Sequence, residues 1–211
     1  MLRIFAVLIY TVALSCNVPV FASGQSQRSL DYKGYHVQFA DDAAPDIASI
    51  ERQIDICENV SVPTRMRAFF HAVPISIVTK LKTGSPGGYN ALSRDEKFGK
   101  IVLRSGTLDE HRPILLHELL HGVHAKLLPN GFNNAQIERF YHIALNRFPD
   151  EASAGGGGDY FRSNSKEFFA VTASIYLFGE IKRPPYTVVN IRTRMPAYAN
   201  FLSTLFSAEP K

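Results

Sequence analysis

Two histidines and a glutamate in the run His117-Glu118-Leu119-Leu120-His121 are the residues of this chain best able to do chemistry. On an α-helix, residues four apart lie about 40° apart around the axis and roughly 6 Å apart along it. Two imidazoles at that spacing can grip one metal ion, and the glutamate between them stands beside a metal-bound water as a general base. The run sits within the apolar series Ile114, Leu115, Leu119, Leu120, Val123 and Leu127, which has helical spacing. The pattern points to a zinc hydrolase, and a catalytic zinc requires a third protein ligand with one position left open.

His124 shares the helical face of His117 and His121, but it lies about 7.5 Å of helix rise beyond a metal held midway between them. It is therefore expected in a supporting or surface position. An extended metzincin motif is excluded, because His124 stands where that motif needs Gly and Leu127 where it needs a ligand. Glu167 is the better candidate. A carboxylate opening Glu167-Phe168-Phe169-Ala170 is ordinarily a solvated helix end beside a core stripe. The upstream H-E-x-x-H favours ligation, since gluzincins take their third ligand from a later helix packed on the first. Asn164 is placed to cap that helix and hold Glu167 in its opening turn.

The segment from Tyr160 to Ala170 resembles the metal-binding region of anthrax lethal factor-like metallopeptidases, a group that includes the clostridial Pro-Pro endopeptidases. There the H-E-x-x-H helix is followed by Y-x6-E-x-F-A, matched here by Tyr160, Glu167, Phe169 and Ala170. The resemblance covers about a third of the chain, from Asp109 to Leu177. It implies Zn2+ held by His117, His121 and Glu167, Glu118 as base, and the Tyr160 hydroxyl stabilising the oxyanion. It also implies a zincin-like domain, mostly helical with a small mixed β-sheet. One departure stands out: the family often carries an acidic residue four positions past the ligand glutamate, where this chain has Val171. Gly155 to Gly158 precede Tyr160, either as a hinge that swings the tyrosine inward or as a plain surface linker.

The elements that must position these groups are legible in outline. Alternation predicts a strand over Tyr32 to Phe39, and β-branched runs predict strands at Pro74 to Val78 and Lys100 to Arg104. Helical spacing covers Asp46 to Val60 and Pro63 to His71, with a Gly/Pro turn at Gly84 to Gly88. The metal helix is expected to be capped by Asp109, with Pro113 in its first turn. Helices follow at Asn134 to Phe148, Ser165 to Phe178 (closed by Gly179) and Met195 to Phe206. A small sheet followed by helices is an α+β arrangement. An exposed strand edge between Gly88 and Leu103 is a place for a peptide to add backbone hydrogen bonds. Cys57 falls within the apolar pattern of Ile47, Ile50, Ile54 and Ile56 and reads as a core residue, while His36, His71 and His111 read as structural or surface groups and His142 as one of these or a supporting contact of the metal site.

The chain has 211 residues, 45% of them hydrophobic, which suffices for one domain with a substantial core. A net charge of +4 without a Lys/Arg block gives no sign of nucleic-acid binding. Arg3, the apolar run Ile4 to Leu14 and the small residues Val20 and Ala22 read as a signal peptide over 1–22, too short to span a membrane comfortably. The domain is then 23–211, secreted or periplasmic, with residues 23 to 30 expected to be disordered. A lipoprotein acylated on Cys16 is the alternative. The sequence thus predicts a zinc metalloendopeptidase acting on peptides or proteins. A zinc-bound binding module without turnover, a zinc amidase of cell-wall peptides and a metal-free helical protein are the competing readings.

Overall fold

The computed structural model describes residues 28–81, 84–91, 97–148, 162–179, 181 and 186–207. The expected signal peptide, Cys16, the tetraglycine run and Tyr160 lie outside the described residues. The chain is α+β, as expected, with a mixed sheet at one end of the sequence and helices in most of the rest.

Among the described residues, strands β1 (Ser29–Tyr32), β2 (Tyr35–Phe39), β3 (Ile75–Val78), β4 (Gly87–Asn90) and β5 (Lys100–Arg104) form one sheet in the order β1-β2-β3-β5-β4. β2, β3 and β5 run parallel, while β1 and β4 pair antiparallel at the two edges. Alternation buries Tyr35, Val37, Phe39, Ile75, Ile77, Ile101 and Leu103 on the face covered by helices. Two expectations change here. The strand placed at Tyr32 to Phe39 is a hairpin that starts at Ser29, so residues 29 and 30 are ordered in a strand. Its turn residues Lys33 and Gly34 have φ of 47° and 84°, the left-handed pair that a two-residue turn needs to match strand twist. The Gly/Pro turn ends earlier than expected, because Gly87 and Gly88 already belong to β4.

Helices α1 (Ile47–Asn59) and α2 (Thr64–Ala72) form the crossover from β2 to β3. α1 is capped by Asp46, and its apolar face, Ile50, Ile54 and Cys57, is buried. The Cys57 thiol is pushed up by burial, which leaves it an inert core group. Arg67 of α2 reaches the carbonyls of Cys57, Glu58 and Val60 and so satisfies the last turn of α1.

α3 (Ile114–Lys126) is buried on nearly every side, against α1, α5 (Ser165–Phe178), β4 and β5. Gly122 makes that possible: a Cβ there would lie 2.8 Å from the Phe69 ring and 3.1 Å from Tyr89. The helix starts later than the sequence suggests. Asp109 accepts the His111 N–H two residues on, and the N-cap position of α3 belongs to Pro113. α4 (Ala135–Arg147) is capped by Asn134, and α5 ends on Gly179 at φ 76°. A helix not anticipated, α6 (Val188–Arg194), precedes α7 (Pro196–Phe206), and Met195 is the cap between them. Its β-branched start is a weak helix signal, overridden by packing on Ile191. Among the described residues, no helix is long and apolar enough to cross a membrane.

Candidate metal centre

The packing of α5 on α3 brings Glu167 against His117 and His121, which lie 50 and 46 residues before it in the chain. Asn164 accepts hydrogen bonds from the Lys166 and Glu167 amides at 3.0 Å. This fixes Glu167 in the first turn of α5, facing the histidine side of α3. The Nε2 atoms of His117 and His121 are 3.1 Å apart, and each lies 3.3 Å from Glu167 Oε2. Their rings stand perpendicular, with centroids 4.7 Å apart. Glu167 Oε2 is buried and, despite its two neighbours, has no hydrogen bond among the described residues.

Three potential ligand atoms turned on one point is an arrangement that neutral imidazoles satisfy only in part, through whichever ring carries its proton on Nε2. It suits a cation. Ligands held about 2.0–2.1 Å from a tetrahedral ion are about 3.3–3.4 Å from each other, close to the three edges found here. His117, His121 and Glu167 can therefore hold a metal ion. Burial alone would raise the Glu167 pKa, but the two imidazoles outweigh it and hold the carboxyl at about 2. The ligand is anionic throughout the physiological range.

Glu118 is 5% exposed. Burial raises its pKa above the ordinary carboxylate value and Glu167 adds to the rise, while His117, His121 and the Tyr89 amide offset part of it. A carboxylate made more basic in this way is a better proton acceptor. β4 runs directly past it, because Gly87 has no side chain. A Cβ on Gly87 would lie 3.1 Å from Glu118 Oε1 and 2.8 Å from Leu103. The expected strand edge is thus β4, at the border of the sheet and beside Glu118.

A cavity of about 430 Å3 opens at His117 and Glu118. Its walls come from Val171, Ser174 and Ile175 of α5, Ile181, the Gly84–Gly87 loop and the segment Arg112 to Ile114. The Ser174 hydroxyl donates back to Ala170 at 2.5 Å, so the α5 wall is largely apolar. Val171, four positions past Glu167, is part of that wall. The sequence offered no marker for this cavity or for Gly87, since their neighbours come from distant segments.

His124 corrects the expectation of a surface group. It is 0% exposed and packs edge-on between Phe132 and Phe169. Both ring nitrogens lack a hydrogen bond among the described residues, and burial, with His121 and Lys166, lowers its pKa to about 4. His36 pairs with Asp31, His71 with Glu58 and His142 with Glu138; none of them joins the cluster.

No protein-family model matches the chain, and no curated protein matches it either. Among solved structures, the Pro-Pro endopeptidase from Paenibacillus alvei is similar, with a TM-score of 0.47 and 21% sequence identity. The similarity covers 81% of this chain and 96% of that one.

Proposed function

We propose that this chain is a zinc-dependent peptidase, exported by a signal peptide over residues 1–22. The observation that carries the reading is the convergence of His117 Nε2, His121 Nε2 and Glu167 Oε2 at 3.1–3.3 Å, with buried Glu118 beside them. Bound there, zinc would acidify a water toward neutrality and polarise the scissile carbonyl. Glu118 takes the proton of the attacking water on its carboxylate and passes it to the leaving amine. Tyr160 donates its hydroxyl proton to the developing oxyanion, a contribution of about a hundredfold or more in rate. The peptide lies along β4, the strand at the edge of the sheet beside Glu118. The apolar cavity next to His117 takes an aliphatic or aromatic side chain flanking the scissile bond.

The test is a purified mature protein assayed for metal and for cleavage of a peptide library. Wild type should hold one zinc and cleave. Glu118→Gln should keep the zinc and lose about a hundredfold to ten-thousandfold in kcat. A protein with no stoichiometric zinc, whose melting is indifferent to chelators, would overturn the reading.

A further inference from the structure

α1 carries a line of polar groups, Asp46, Ser49 and Gln53, spaced three and four residues apart on one helical face. All three bind the segment that joins β5 to the metal helix. Asp46 Oδ2 accepts the Thr107 hydroxyl at 3.0 Å, and Ser49 Oγ accepts the Leu108 amide at 3.2 Å. Gln53, 1% exposed, does more. Its amide donates to the carbonyls of Asp109 at 2.9 Å and Arg112 at 3.1 Å, and its Oε1 accepts the Leu115 amide at 3.2 Å.

Leu115 is the second residue of α3, where an amide has no partner within its own helix. The N-cap residue, Pro113, has no side chain able to supply one. Gln53 therefore caps the metal helix from another helix and ties down both ends of the turn before it. That turn carries Arg112, Pro113 and Ile114 of the cavity wall, and the Pro113 carbonyl accepts the His117 amide at 2.9 Å. A residue chosen only to fill this side of α1 would be apolar like its neighbours Ile50 and Ile54.

We propose that Gln53 is a positioning residue of the peptidase, holding Asp109 to Leu115 so that the cavity wall keeps its place beside His117. The proposal rests on the peptidase reading for its catalytic consequence. Gln53→Met preserves size and removes every hydrogen bond. In the zinc-loaded protein, amide exchange at Leu115 of α3 should quicken by about tenfold or more, while Ile54, on α1 beside Gln53, is unchanged. Cleavage of a peptide with Leu at the cavity position should lose about tenfold in kcat/KM through KM, and a matched peptide with Gly there should keep its kcat. Parallel losses on the two peptides, or unaltered exchange at Leu115, would overturn the proposal. If the Met variant does not fold, Gln53→Glu keeps the acceptor for Leu115 and replaces the donors to Asp109 and Arg112. It should show the same selective rise in KM, and equal losses on both peptides would again count against the idea. A wild type that holds zinc yet cleaves no peptide would sink the peptidase reading, leaving the exchange experiment to decide whether Gln53 holds the turn.

Discussion

Glu58 and Glu167 are both largely buried carboxylates set against two basic side chains, with side-chain exposures of 23% and 16%. Glu58 Oε1 accepts from the Tyr35 hydroxyl at 3.0 Å, Arg67 at 2.9 Å and His71 at 3.0 Å. Glu167 Oε2 faces two imidazole nitrogens, each at 3.3 Å. In each case burial pushes the carboxyl up and the partners more than offset it. The first group is closed: its donors and acceptors satisfy one another and join α1 to α2 and β2. The second has three ligand-type atoms turned on a common point, an arrangement that can hold a metal ion. Convergence of ligand-type atoms on one point is therefore a better sign of chemistry than burial and charge alone.

The sharpest way to break this contrast is Glu167→Gln. It removes one anionic ligand and keeps the shape of α5. Even outer partners of metal ligands are worth about tenfold to a hundredfold in affinity, so losing a ligand should cost at least that much. Dialysed protein should hold little zinc, cleavage should vanish, and chelators should no longer change the melting temperature. Retention of a full zinc equivalent would show that Glu167 is not a ligand.

The opposite change, Glu58→Gln, should leave zinc content and kcat alone and weaken the fold. It takes an ionised acceptor from Tyr35, Arg67 and His71, a loss of about 2 kcal/mol for partly buried groups. The sign of the pH dependence follows from the direction of the shift. Glu58 is held below the ordinary carboxylate value of 4.5, so its contribution is full above that value and is lost as pH falls through the lower folded value. Urea unfolding of wild type and variant should differ most near neutrality and converge in acid. A gap that does not shrink at all as pH falls from 4.5 into strong acid would mean that the network does not depend on the carboxylate charge.

The contrast also explains what the sequence could reveal. The H-E-x-x-H helix, the Asn164 cap, Glu167 in the first turn and the stop at Gly179 are set by residues within one or two turns of each other, so spacing alone exposes them. Gln53 also carried a signal, a lone amide among Ile50, Ile54 and Cys57, but its partners are 56 to 62 residues away. Gly87 reads as a turn glycine until Glu118 arrives from another element, and Gly122 shows its role only once Phe69 and Tyr89 pack against it. Asp109 was a sound cap by type, yet its carboxylate serves the His111 amide and the helix waits for Pro113. Helical geometry sets His124 apart from His117 and His121, but could not foresee the two aromatic rings that bury it.

His124 sharpens the comparison, because its nitrogens are also without hydrogen bonds. What it lacks is convergence: aromatic edges, not ligand atoms, surround it. His124→Phe should therefore keep zinc, and its effect should appear in the acid stability of the metal-stripped protein. The native imidazole is held at about 4 against an ordinary 6.5. Between those values the unfolded chain binds a proton that the native chain does not, so wild type loses stability as pH falls from 6.5 toward 4. The phenylalanine variant has no such loss. With chelator present throughout, unfolding should show the variant gaining on wild type by on the order of 1 kcal/mol between pH 8 and pH 5. A constant difference across that range would mean that the native imidazole takes up its proton normally. Loss of zinc on this substitution would instead show that an orphaned nitrogen beyond the three-atom cluster belongs to the metal site, and the distinction drawn from Glu58 and Glu167 would fail.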